Sequence, residues 1–153
     1  MAPVNDSDNG VMRSIDRLVN SAMADHWNID KQIKRLQTLT STPMSSERTL
    51  RTAQASHLLM ITDTQKCGNA AVEAKDQIAY LSEDFPLAKL EEINGKIAAM
   101  ALKVNKILTE SVAANLDFEE KEEVFLVEME KKEESRRVAA KERRQVEDAA
   151  AAL

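Results

Sequence analysis

The chain has 153 residues, 43% of them apolar and 31% charged but only 3% aromatic, with three Gly, three Pro and one Cys. That balance is the composition of long helices, whereas a compact enzyme of this size needs more aromatics for its core and more Gly for its loops. A net charge of −5 argues against a general nucleic-acid binder, and a lone cysteine, Cys67, excludes an internal disulfide framework.

Residues 1–10 are polar and hold Pro, Gly, Asn, Asp and Ser, and they read as a disordered lead-in. They contain no apolar core of a signal peptide, so Asn5-Asp6-Ser7 is a chance match to a glycosylation sequon. No apolar run approaches the ~20 residues that span a bilayer. The expected compartment is the cytoplasm or nucleus, with no secretion and no transmembrane segment.

From Val11 the pattern changes. Val11, Ile15, Leu18, Ala22, Asp25, Ile29, Gln32, Leu36 and Leu39 fall on alternating three- and four-residue steps, which predicts a helix over 11–40 with a heptad seam. Asp25 and Gln32 interrupt that seam with polar groups that weaken it or fix its register. Thr42-Pro43 ends the helix, and Thr42 suits the cap of a second one with Pro43 in its first turn. The second helix, 43–84, carries Leu50, Ala53, His57, Met60, Thr64, Cys67, Ala71, Ala74, Ile78 and Leu81 in one register. The register runs through Gly68 unbroken, so one helix is expected there, at a cost of about 1 kcal/mol relative to Ala.

Phe85-Pro86 marks the next break. The third helix, 87–128, has the best seam: Leu90, Ile93, Ile97, Met100, Val104, Ile107, Ser111, Ala114 and Phe118. Short connections favour antiparallel neighbours, so residues 11–128 are expected to form an elongated, all-α, up-down-up bundle of three coiled-coil helices. Residues 129–153 are nearly all Glu, Lys, Arg, Gln and Ala, with pairs such as Glu133/Arg137 at helical spacing. They are expected as a charged helical extension or a frayed tail.

The third helix has more apolar surface than one seam hides. Leu102, Val112 and Leu116 extend the apolar arc to roughly 220°, against the ~100° of a helix packed on one core. Trp27 falls opposite the seam of the first helix, and Leu58, Leu59, Met60 and Ile61 make the second apolar all round. Small residues fill much of the second seam and release little hydrophobic free energy, at ~25 cal/mol per Å². The expected partner interface is therefore Trp27, Leu58, Leu59, Ile61, Leu90, Ile93, Ile97, Met100, Leu102, Val104, Ile107, Val112 and Leu116. Its occupants are expected to be other helical subunits in a hetero-oligomer.

Residue chemistry for catalysis is sparse. His26 and His57 are the only histidines, and neither sits with Cys, Asp or Glu at a recurring metal-ligand spacing. His57 lies on the second seam, where a hydrogen-bonded packing role is expected, and Cys67 is expected to pack. No Gly-rich phosphate loop and no Glu-x-x-His pair occurs. No catalytic, metal or cofactor site is expected. The basic residues between Lys131 and Arg144 alternate with glutamates, which predicts a solvated face, or at most a weak contact with an acidic surface. The leading expectation is a non-enzymatic coiled-coil subunit of a multi-protein assembly, a tether, scaffold or cytoskeleton-associated component. A self-assembling or virus-type structural protein and a monomeric helical-bundle regulatory module are the alternatives.

Overall fold

The computed structural model describes residues 4–153, and their fold is all-α: three helices and no strands among the described residues. Helix α1 spans Asp6–Thr40, α2 spans Glu47–Gln77 and ends in a 3₁₀ turn over Ile78–Tyr80, and α3 spans Leu87–Ala151. At 1.5 Å per residue these are rods of about 52, 46 and 98 Å.

Four boundaries differ from the sequence reading. The lead-in lies outside the described residues at 1–3, but Asp6–Gly10 is helical and not disordered. The Asn5 side chain accepts from the Asp8 N–H at 2.7 Å and caps the helix. Asp6 and Asp8 in the first turn suit the positive end of the helix dipole. Asp8 is buried, and its carboxylate accepts from both the backbone N–H and the hydroxyl of Ser82, fastening the start of α1 to the end of α2.

The cap of α2 is Ser46, not Thr42: its Oγ accepts from the Thr49 N–H at 3.2 Å and pairs with the Thr49 hydroxyl at 3.0 Å. Ser41 to Ser46, including Pro43, form the connection. At its other end α2 stops at Gln77, short of residue 84, and tightens into the 3₁₀ turn, where the Leu81 N–H bonds the Ile78 carbonyl at 3.1 Å. Phe85 is buried in the turn to α3, and the Leu90 N–H donates to the Pro86 carbonyl at 3.0 Å. Finally, α3 runs through residue 128 without a break.

Cross-contacts give the chain directions. Asp8 meets Ser82 and the Ala22 carbonyl meets Cys67, so α1 and α2 run antiparallel. Gln54 meets Glu122 and His57 meets Asn115, so α2 and α3 do likewise. Asp16 pairs with Lys96 and Thr40 with Lys121, which makes α1 and α3 parallel.

The core follows seven-residue intervals. Ile15, Ala22, Ile29 and Leu36 of α1 are buried, as are Ala53, Met60, Cys67 and Ala74 of α2. Ile97, Val104, Ser111, Phe118 and Phe125 of α3 complete it, with Ile93, Met100 and Ile107 between them. The small side chains of α2 let it approach α1 closely: the Cys67 thiol donates to the Ala22 carbonyl at 3.4 Å. Gly68, half-buried inside α2, has only Leu108 of α3 within 4 Å of where a Cβ would stand.

Candidate functional site

Burial divides the expected interface in two. Ile93, Ile97, Met100, Val104 and Ile107 are buried in the chain's own core, and Leu90 is half-buried against it. These six are not a free partner surface, because α1 and α2 already cover that side of α3. Periodicity placed them on one face correctly, but it does not say what covers the face.

The remaining residues stay on the outside. Trp27 is 60% exposed on the outer side of α1, with the Lys31 ammonium 4.2 Å above its ring. That cation–π contact holds the indole but leaves most of it uncovered. Leu58, Leu59 and Ile61 of α2 are exposed, as are Leu102, Val112 and Leu116 of α3.

The contacts between α2 and α3 align most of these. His57 bonds Asn115 and stacks on Phe118, with ring centroids 4.5 Å apart, and Gln54 bonds Glu122 at 3.0 Å. This puts Leu58 and Ile61 at the level of Val112 and Leu116. At 3.6 residues per turn, Leu58 and Ile61 fall on the outer shoulder of the side that α2 turns toward α3. Val112 and Leu116 fall on the matching shoulder of α3, and half-buried Leu108 lies between the two rows. The product is an apolar strip along the outside of the α2–α3 seam. Leu102, 75% exposed, lies further round, on the back of α3 and away from α2. Leu59 faces away from the strip, and Trp27 on α1 stands apart from it.

Sequence reasoning missed the far end of the third helix. Phe125 is buried, seven residues past Phe118, and that interval was the available signal. It borders a cleft of about 390 Å³ between the α1–α2 connection and α3, lined by Pro43, Met44, Asp117, Lys121, Val124 and Glu128 among others. Inside the cleft Lys121 pairs with Asp117 at 2.9 Å and donates to the Thr40 hydroxyl at 3.4 Å. The cation is thereby spent on structural contacts. Neither histidine lines this cleft.

The other chemistry-bearing groups are held in packing. Burial, with the Asp25 charge nearby, pushes the Cys67 thiol up to about 11, so it stays a protonated thiol at neutral pH. Asp25 is itself raised from its ordinary value by burial first, then by Asp63, against a smaller opposing effect of Lys66. No three His, Cys, Asp or Glu side chains come close enough together to hold a metal ion among the described residues. No described helix is long and apolar enough to cross a membrane. Glu130 and Glu133 still face Glu47, Leu50 and Arg51 at the start of α2; beyond them α3 leaves the bundle, and ion pairs such as Glu133–Arg137 at 3.1 Å and Glu128–Lys131 at 3.8 Å run along its surface.

No family model, curated protein or solved structure matches this chain.

Proposed function

We propose that this chain is a non-enzymatic structural subunit, which joins a multi-protein assembly by packing a partner's helix along the outer α2–α3 seam. One observation carries the reading. A bundle that buries its core residues well nevertheless leaves Leu58, Ile61, Val112 and Leu116 in water on one side. A contiguous aliphatic strip is costly in solvent and marks a contact surface. Its shape, a shallow trough between two helices, suits the apolar face of a third. A hetero-oligomeric assembly in the cytoplasm or nucleus, with coiled-coil packing at the joint, is the setting that fits.

The test uses exposed positions, so that the fold survives. Leu58→Asp combined with Val112→Asp places two charges in the strip without touching the core. Affinity purification of the double variant from its native cell is expected to lose the helical partners that the wild type recovers, while the far-ultraviolet dichroism stays the same. Unchanged recovery refutes the strip as the joint. Substitutions at Ile97 or Val104 do not serve here, because they break the bundle itself.

A further inference from the structure

We infer that the inner side of the α3 arm docks an acidic helix of a partner protein, seated in the corner above the ends of α1 and α2. The inference rests on the assembly reading above, and it adds a second joint, away from the α2–α3 strip and of different chemistry.

Periodicity places the residues. The core interval of Phe118 and Phe125 continues along α3 as Lys132, Ala139 and Val146. At 3.6 residues per turn, Lys132, Arg136 and Arg143 fall within about 40° of one another, on the line of Phe118 and Phe125. They therefore stand on the side that α3 turns toward α1 and α2 lower down. At this level the other two helices have ended or are ending, and all three cations are exposed.

The charge of the arm is concentrated on that side. Residues 130–144 hold seven cations and four carboxylates, a net +3. On the outer side Glu130, Glu134 and Glu142 offset Lys131, Arg137 and Lys141. That leaves Lys132, Arg136, Arg143 and, at the edge, Arg144 against Glu133 alone, so the excess lies inward. None of these four cations makes an ion pair among the described residues, whereas Arg137 is held by Glu133 and Glu134, and Lys131 by Glu128.

The form of this patch selects its occupant. Arg136 and Arg143 stand about 6 and 17 Å along the axis from Lys132, so the cations make a line and not a sheet. Glu128 and Glu133 border its lower end on either edge, and Glu147 closes the upper end. A broad polyanion such as a nucleic acid or an anionic bilayer meets those carboxylates as well as the cations, and the net charge of −5 repels it further. A single helix does not meet them. Ala139 keeps the surface between Arg136 and Arg143 low, which lets a helix axis approach. The seat below is the connection Ser41–Ser46, which carries no charge. Carboxylates at matching four- and seven-residue steps on the incoming helix pair with all three cations at once.

The probe is a labelled synthetic helix of about 21 residues with Glu at the three matching positions and Ala, Leu and Gln elsewhere, read by fluorescence anisotropy against the full-length protein. Binding is expected at about 20 mM salt and should weaken at least about tenfold at about 500 mM, where screening is short-ranged. Lys132→Gln, Arg136→Gln and Arg143→Gln combined should weaken it at least about tenfold. Lys131→Gln, Arg137→Gln and Lys141→Gln combined remove the same charge from the outer side and should change it by less than about twofold. Lys132→Glu, Arg136→Glu and Arg143→Glu combined should instead bind the probe in which Lys replaces each Glu. All six positions are exposed, so the far-ultraviolet dichroism should not change. Absence of binding at low salt overturns the inference, and so does an equal loss in the two Gln variants. Tighter binding of heparin or of phosphatidylserine vesicles than of the probe overturns the choice of a helix. None of these results affects the Leu58/Val112 test, so failure of this joint and failure of the assembly reading are separable.

Discussion

Gln32 gives the sharpest test of the packing. It sits in the seam of α1 between Ile29 and Leu36, both buried, and its Oε1 atom is buried with no hydrogen-bond partner among the described residues. An acceptor stripped of water and left unmatched costs about 1–3 kcal/mol. Gln32→Leu removes that acceptor and adds aliphatic surface, at ~25 cal/mol per Å², to a half-buried position. The residue is only partly enclosed, so the expected gain lies toward the lower part of that range, about 1–2 kcal/mol. For a chain of this length that corresponds to a rise in melting temperature of about 2–8 °C. Urea denaturation read by far-ultraviolet dichroism measures it, with exposed Gln37→Leu, one turn further on, as the control. A midpoint that rises for Gln32→Leu and stays put for Gln37→Leu is the expected outcome. A loss of stability in Gln32→Leu refutes the reasoning, because the amide must then be satisfied by water.

Ile107 and Leu102, five residues apart on α3, should differ sharply in their response to truncation. Ile107→Ala empties a site that is 2% exposed and is expected to cost about 2–5 kcal/mol, whereas Leu102→Ala should stay within about 0.5 kcal/mol in the same denaturation assay. Asp25 and Cys67 predict the pH dependence. Both are raised above their ordinary values, so the stability that each contributes is complete below the unfolded value and is lost as pH rises through the folded one. For Cys67 this is a decline between pH 9 and about 11, which Cys67→Ala should flatten in a pH series of urea midpoints. For Asp25 the charged carboxylate is already held at a cost at neutral pH. Asp25→Asn is therefore expected to stabilise at pH 7, and the gain should vanish in acid below the model-peptide value of 3.8.

The helices and their inner faces were legible because aliphatic side chains at three- and four-residue steps admit one periodicity. Ile15, Ala22, Ile29 and Leu36 could be assigned before any contact was known, and so could the exposure of Trp27 opposite them. The start of α1 was not legible. Its polar first turn resembles a tail until Asp8 is seen bonded to Ser82, 74 residues away. The choice between Thr42 and Ser46 as cap was equally hidden, since both side chains can accept the bond and only the path of the connection selects one. The allocation of Ile93 to Ile107 failed for a different reason. A seam records which residues share a side of a helix, and it leaves open whether the cover comes from the same chain or another. Val112 and Leu116 were marked by an excess of apolar arc and Leu58 by an apolar run, quantities that depend on no neighbour, whereas their alignment across the α2–α3 seam rests on the Gln54–Glu122 and His57–Asn115 contacts.

The unequal lengths of the helices have a mechanical consequence. With α1 ending near the level of Phe125 and the start of α2 beside Glu130 and Glu133, α3 is braced over its first part and free from about Glu134 to Ala151, like a beam clamped at one end. A helix resists bending over tens of ångströms, so a load applied at Val146 is delivered to the clamp as torque on the Phe118–Phe125 packing. Whatever grips that tip is held at a set stand-off from the bundle and shares its orientation.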